Sequence, residues 1–181
     1  RTPEGLDTDL PNALDAFTKA LRYDLSNKIA ATRVTDTTMA ISARKQEYET
    51  QQKFLESATG IVAVAERSAK DKDFGGALTS YRQALNGLGQ VTATFKDLNQ
   101  KARDESGKIN NAVKQVISDV YASANESIEK GDAALINGNI DEAVRFYSMV
   151  ESIVDVVPAE EGSVGAQKKK DMIAAALTKI D

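Results

Sequence analysis

Residues 131–147 read Gly131-Asp-Ala-Ala-Leu-Ile-Asn137-Gly138-Asn139-Ile-Asp-Glu-Ala143-Val-Arg-Phe-Tyr147, and this stretch decides the fold. Gly138 takes the left-handed conformation that ends one helix without the penalty a Cβ would bring. Asn139, with Glu142 three residues on, resembles a capping box that starts the next. Apolar residues recur at three and four spacing on both sides: Val113, Val116, Ile117, Val120, Ala124 and Ile128 before the turn, and Ile140, Ala143, Val144, Tyr147, Val150 and Val154 after it. The reading is a helical hairpin. A helix running unbroken through 137–140 would remove the basis of the argument.

Working outward, the same pattern occurs twice more. Leu10-Pro-Asn-Ala13-Leu-Asp-Ala-Phe17-Thr-Lys-Ala20 and Phe74-Gly-Gly-Ala77-Leu-Thr-Ser-Tyr81-Arg-Gln-Ala84 align without gaps to Ile140-Asp-Glu-Ala143-Val-Arg-Phe-Tyr147-Ser-Met-Val150. A small residue lets a neighbouring helix approach, and the aromatic one turn further fills the space beside it. The copies stand 64 and 66 residues apart, so the repeated unit is a pair of helices.

With prolines only at 3, 11 and 158, nothing forces a helix to stop between Asn12 and Val157. Alternation of apolar and polar residues is sustained nowhere, so no sheet is expected. The fold class is all-α, with about six helices forming elongated antiparallel hairpins, either a repeat array or a bundle. Val34, Ile41, Tyr48, Leu55, Val62 and Ala69 recur every seven residues and set a stripe along a helix over about 32–70. Further helices are predicted over about 74–103, from 108 to 136, over 140–157 and over 166–180, with turns near 71–74, 104–108 and 137–140. An N-terminal helix starts near Pro11, after an irregular segment 1–9, and the whole of 1–181 is taken as one domain.

These hairpins resemble the tetratricopeptide repeat. Gly138, Ala143 and Tyr147 fit its second helix, and Gly131, seven residues before Gly138, fits the small position of its first. Ala77, Tyr81 and Ala84 fit as well, with Ala65 at the small position and Lys72 where the turn glycine stands. The resemblance covers about 60–89 and 123–156. The spacing near 65 rather than 34, and the long helices, depart from the family pattern. What it implies is a non-enzymatic scaffold or structural subunit that binds proteins or peptides.

Composition agrees with that class. The 181 residues carry 23 Lys+Arg and 27 Asp+Glu, a net charge of -4, and contain neither Cys nor His. Disulfides, thiolate sites, Cys nucleophiles and the usual neutral-pH general base are thereby excluded. Asp71-Lys-Asp73-Phe-Gly75-Gly76 begins like a calcium loop, but Arg82 occupies the position of the bidentate Glu, so it reads as a capped helical turn. Gly75-Gly76 and Gly87-Leu-Gly89 lack phosphate-loop spacing, and the latter pair reads as a helix crossing or bend. Lys168-Lys169-Lys170 is the only basic run and reads as a solvated helix start, so no nucleic-acid partner is expected. No metal, cofactor or catalytic residue is called. The expected partner is another protein, or a second copy of the chain.

Two alternatives remain at this stage. One is a self-associating coiled-coil protein. The other is a ligand-binding sensory bundle, for which Arg44 and Gln51, polar residues on the stripe of the second helix, are the buried polar candidates. No stretch approaches the roughly 20 apolar residues of a membrane span. The absence of cysteine leans toward an exported bacterial protein, and a chain beginning at Arg1 reads as a processed form or a piece of a longer one.

Overall fold

The computed structural model describes residues 3–158 and 162–179, with side chains described for 9–158, 167, 168 and 170–179. Among the described residues the chain is all-α, without strands: α1 (Pro3–Tyr23), α2 (Lys28–Lys70), α3 (Phe74–Leu88), α4 (Lys96–Ile136), α5 (Ile140–Asp155) and α6 (Gly162–Leu177). At 1.5 Å per residue α2 is about 64 Å long and α4 about 60 Å. None is long and apolar enough to cross a membrane. The chain divides into two compact units. Unit 1 holds residues 1–61 and 83–108, and unit 2 holds 62–82 and 109–181.

In unit 1, α2 begins at Lys28 because Asn27 caps it: the Asn27 Oδ1 accepts the Ala30 N–H at 3.0 Å. The line of α2 that is buried is Ala30, Thr37, Gln51, Ala58 and, in unit 2, Ala65. The more apolar heptad Val34, Ile41, Tyr48, Leu55, Val62 is half-buried beside it. Small and polar residues hold the centre of the seam because the neighbouring backbone comes close there, and the larger side chains spread to its flanks.

The expected turn at 104–108 does not occur, and the expected helix 74–103 is interrupted instead. Helix α4 runs through Gly107, whose position is open, so one glycine costs only about 1 kcal/mol of helix propensity. Lys108–Glu105 and Gln100–Asp104 pairs support that stretch, and buried Ala102 and Ile109 carry the apolar line across it. The break falls at 89–95. The Gly89 N–H bonds the Leu85 carbonyl, ending α3, and residues 92–94, Thr-Ala-Thr, give way to Phe95, which is buried. The loop is held by α2. Gln51 gives its amide N–H to Thr92 Oγ1 at 2.8 Å and accepts the Thr92 backbone N–H at 3.1 Å. Tyr48 meets Phe95 edge-on at 5.1 Å and donates to Asp97 Oδ2 at 2.9 Å, while Arg44 lies over the Phe95 ring at 5.6 Å. Arg44 also pairs with Glu47. The two polar residues singled out for a ligand pocket are thus engaged in fastening a loop.

Two smaller boundaries also differ. Helix α1 starts at Pro3 rather than near Pro11, so residues 3–9 are helical and not irregular; Pro11 lies inside the helix. Helix α6 starts at Gly162 rather than 166, and Ile180, expected at its end, lies outside the described residues.

In unit 2 the core is built from Ala65, Ala77, Tyr81, Val116, Val120 and Ala124, with Ala143, Tyr147, Val150 and Val154 from α5. Helix α6 adds Met172 and Ala176 and packs on α5. Lys168 lies 4.3 Å over the Tyr121 ring. One member of the lysine run is therefore stacked and not simply solvated.

Candidate functional site

The turns at 71–73 and 137–139 have one geometry. The Asp73 N–H bonds the Ser68 carbonyl at 2.9 Å and the Lys72 N–H bonds that of Ala69 at 3.1 Å; sixty-six residues on, Asn139 bonds Ala134 at 2.9 Å and Gly138 bonds Leu135 at 3.0 Å. This is the Schellman pattern. The left-handed residue is Lys72 in the first (φ 59°) and Gly138 in the second (φ 76°). At the same offset Ala65 stands against Gly131, Ala77 against Ala143, Tyr81 against Tyr147, and Ala84 against Val150; all of them, Gly131 included, are buried. Val91 and Val157 match too, each bonding the carbonyl three residues back and each buried. The first sequence copy differs: Ala13, Phe17 and Ala20 on α1 are only half-buried.

Gly131 is required by Tyr147. A Cβ at 131 would lie 2.4 Å from Tyr147 Cε1, so the ring occupies the space any side chain would take. The Tyr147 hydroxyl then reaches Asp132, donating to Oδ1 at 2.6 Å, and Lys179 pairs with the same oxygen. These bonds hold the Asp132 carboxyl below its ordinary range, Lys179 contributing most, and they push the Tyr147 phenol up to about 12. In the first hairpin Tyr81 is raised mainly by burial, with the charge of Glu66 second. Glu66 stands 66 residues before Asp132.

The helix starts differ in chemistry. Asp73 caps α3 through the Gly76 N–H at 3.0 Å, and a Cβ on Gly76 would fall 2.1 Å from the other carboxylate oxygen, which explains the second glycine of the pair. Asn139 makes no side-chain cap bond; its amide instead meets Glu142 Oε2 at 3.5 Å and its backbone N–H goes to the Ala134 carbonyl, so neither bond of the expected capping box forms.

What these elements position in unit 2 is an open groove of about 430 Å³. Helix α5 turns its second apolar line into it, Phe146, Met149 and Ile153 with Val156 just past its end, on the face adjoining its buried line. Helix α4 supplies Ser123, Glu126, Ser127 and Lys130, and the 71–73 turn with the start of α3 closes the end with Lys72 and Phe74. Glu126 pairs with Lys130 at 2.7 Å, and that bond, followed by the charge of Lys72, lowers its carboxyl below the usual range. The groove is thus an apolar floor with ionised groups of both signs along its rim. It holds none of the residues named as the repeat motif. The sequence reading missed it, although α5 carries apolar residues on two faces, and a helix with two apolar faces has two surfaces to cover. A second depression, about 480 Å³, adjoins it at Gly75 and Val156 and is lined by Leu78, Arg82 and Pro158.

Among the described residues no group of three or more potential metal ligands occurs. Comparison with protein-family models, with curated proteins and with solved structures finds no match for this chain.

Proposed function

We propose that this protein is an interaction scaffold whose two hairpins, 60–89 and 123–156, are copies of one unit similar to the tetratricopeptide repeat, and that unit 2 binds a segment of another protein. It performs no catalysis in this reading. The observation that carries it is the groove: Phe146, Met149 and Ile153 are half-buried or exposed on a helix whose adjoining face is already packed, and Lys72, Glu126 and Lys130 stand where they would orient a polar or charged chain lying over that floor. Apolar anchors with a polar rim are the usual composition of a peptide-binding surface. The coincidence of turns, small residues and tyrosines at an offset of 66 supports the repeat. The lack of cysteine accords with an exported location.

The test is a photo-reactive amino acid placed at Met149 or, as a control, at Thr50 on α2, in extracts of the cells that make the protein. A discrete cross-linked partner is expected from position 149 and not from 50, and it should disappear when Ile153→Glu is added. Equal labelling at the two positions would sink the groove as the binding site.

A further inference from the structure

The α1–α2 turn holds a second surface, in unit 1, that the groove reading does not use. Tyr23 and Leu25 are the two most exposed large apolar side chains among the described residues, at 94% and 86%, and Ile29, the second residue of α2, is 76% exposed. The turn's polar groups face inward on themselves. Asp24 Oδ1 accepts both the backbone N–H of Ser26 (3.0 Å) and its hydroxyl (2.6 Å), and Asn27 caps α2. The three apolar side chains are left pointing away from a turn whose hydrogen bonds are made locally.

Charge distinguishes this tip from the rest of an acidic chain. Around the turn stand Arg22, Lys28 and Arg33 against Asp24 and, beside Arg33, Asp36, while Lys19 is paired with Asp15 at 2.7 Å. The α4–α5 tip is the contrast. There Ile136 (85%) and Ile140 (64%) are also exposed, but Asp132, Asp141 and Glu142 lie near them in sequence, Asp132 already paired with Lys179, and Lys130 and Arg145 leave no cationic excess.

We propose that the α1–α2 tip docks on an anionic lipid surface, with Tyr23, Leu25 and Ile29 entering the headgroup–acyl boundary and Arg22, Lys28 and Arg33 facing lipid phosphates. Tyr23 and Leu25 touch almost nothing of their own protein and project from the turn, while Ile29 borders a shallow open depression with Lys28, Thr32, Arg33 and Asp36. A bilayer yields to such a shape, whereas a protein would need a cavity to match it. Even at the roughly 200 Å² an aromatic side chain buries, three residues stay below the about 800 Å² per partner of a standard protein interface. A second copy docking tip to tip would bring the two basic clusters together. Tyrosine is suited to the interface because its ring is apolar and its hydroxyl stays wet, and arginine and lysine stems extend toward the headgroups. A small apolar insertion combined with a basic cluster gives reversible, charge-dependent attachment.

The experiment is co-sedimentation of the full chain with vesicles of phosphatidylcholine alone and with about one-third phosphatidylserine, at about 0.1 M and about 1 M salt. Binding is expected to the anionic vesicles, at least tenfold weaker on neutral ones and at high salt. Tyr23→Ser/Leu25→Ser/Ile29→Ser and, separately, Arg22→Glu/Lys28→Glu should each abolish it with unchanged circular dichroism. Ile136→Ser/Ile140→Ser should leave it intact. The charge-reversal pair tests the idea independently of any folding defect in the triple variant. Equal partition onto neutral vesicles, equal loss with the Ile136/Ile140 control, or no binding at all would overturn the proposal. So would an oligomer that the triple variant reduces to monomer in the absence of vesicle binding, because the tip would then be covered by a second copy.

Discussion

At residues 71–73 and 137–139 the backbone makes one turn twice, with the same pair of hydrogen bonds and the same left-handed residue, yet the first turn puts Lys72 at that position and the second puts Gly138. The rest of the two hairpins diverges in a complementary way. The first has a true side-chain cap in Asp73 and a methyl at Ala65 beside its tyrosine; the second has no side-chain cap bond, no room for a methyl at Gly131, and a tyrosine bonded to Asp132. The lesson is that a backbone conformation can be held by different local means. In the first hairpin a well-placed cap offsets a strained lysine. In the second an unstrained glycine leaves less for the cap to do, and the tyrosine ring and hydroxyl fix the helix pair.

Substitutions at the shared positions break or sharpen that comparison. The largest effect falls on the shared aromatic. Tyr147→Ala should cost about 3–5 kcal/mol in urea denaturation, because the ring is fully buried and fills the space above Gly131. Phe17→Ala, at the matching position on half-buried α1, should cost only about 1–2 kcal/mol. Equal losses would mean that the α1 copy packs as tightly as the others. Next comes the second turn. Gly138→Ala places a Cβ in the left-handed region and should cost about 1–2 kcal/mol.

Two further changes act on the first turn. Asp73→Ala removes the bond to the Gly76 N–H and should cost about 1 kcal/mol, against a few tenths for Asn139→Ala, whose side chain makes no cap bond. Lys72→Gly should raise stability by about 0.5 kcal/mol. Relief of about 1–2 kcal/mol of left-handed strain outweighs the about 0.5–1 kcal/mol that glycine's freedom adds to the unfolded chain. A stability loss in Lys72→Gly would show that the lysine side chain holds the turn through its position beside Glu126.

Much of this was legible in the sequence because it rests on residue types with one physical use. Gly138 marked its turn, the Ala-x-x-x-aromatic spacing marked buried faces at 77–81 and 143–147, and Lys70-Asp71-Lys72-Asp73 marked the earlier turn by polarity. The misplaced boundary at 104–108 came from weighing Asp104-Glu105-Ser106-Gly107 as a breaker, when surface pairs and the line Ala102–Ile109 keep α4 going. The true break at 89–95 was hidden because Val91, Phe95 and Leu98 keep a helical spacing even though Gln51 and Phe95 hold that stretch as a loop. The groove was invisible for another reason: the line Ala143, Tyr147, Val150 and Val154 already accounts for the packing of α5, and Phe146, Met149 and Ile153 on the adjoining face carry no signal of their own until that line is seen buried.

The hydroxyl of Tyr147 should matter least at neutral pH and most in alkali. Tyr147→Phe keeps the ring against Gly131 and loses one bond to a half-exposed carboxylate, for which water substitutes, so the neutral-pH denaturation midpoint should fall less than in the variants that disturb packing or the turn. The phenol is held at about 12 in the folded protein, first by its bond to Asp132, while an unfolded tyrosine loses its proton near 10. Between those values the unfolded chain gives up a proton that the folded one keeps. Rising pH therefore favours unfolding in that window; the contribution is intact below pH 10 and gone above about 12. Melting temperatures measured from pH 9 to 12 should decline for the wild type and decline less for Tyr147→Phe, whereas Tyr81→Phe, where Glu66 acts only through its charge, should narrow the slope to a smaller degree. Parallel curves for all three proteins would show that the Tyr147–Asp132 bond does not distinguish the two hairpins in solution.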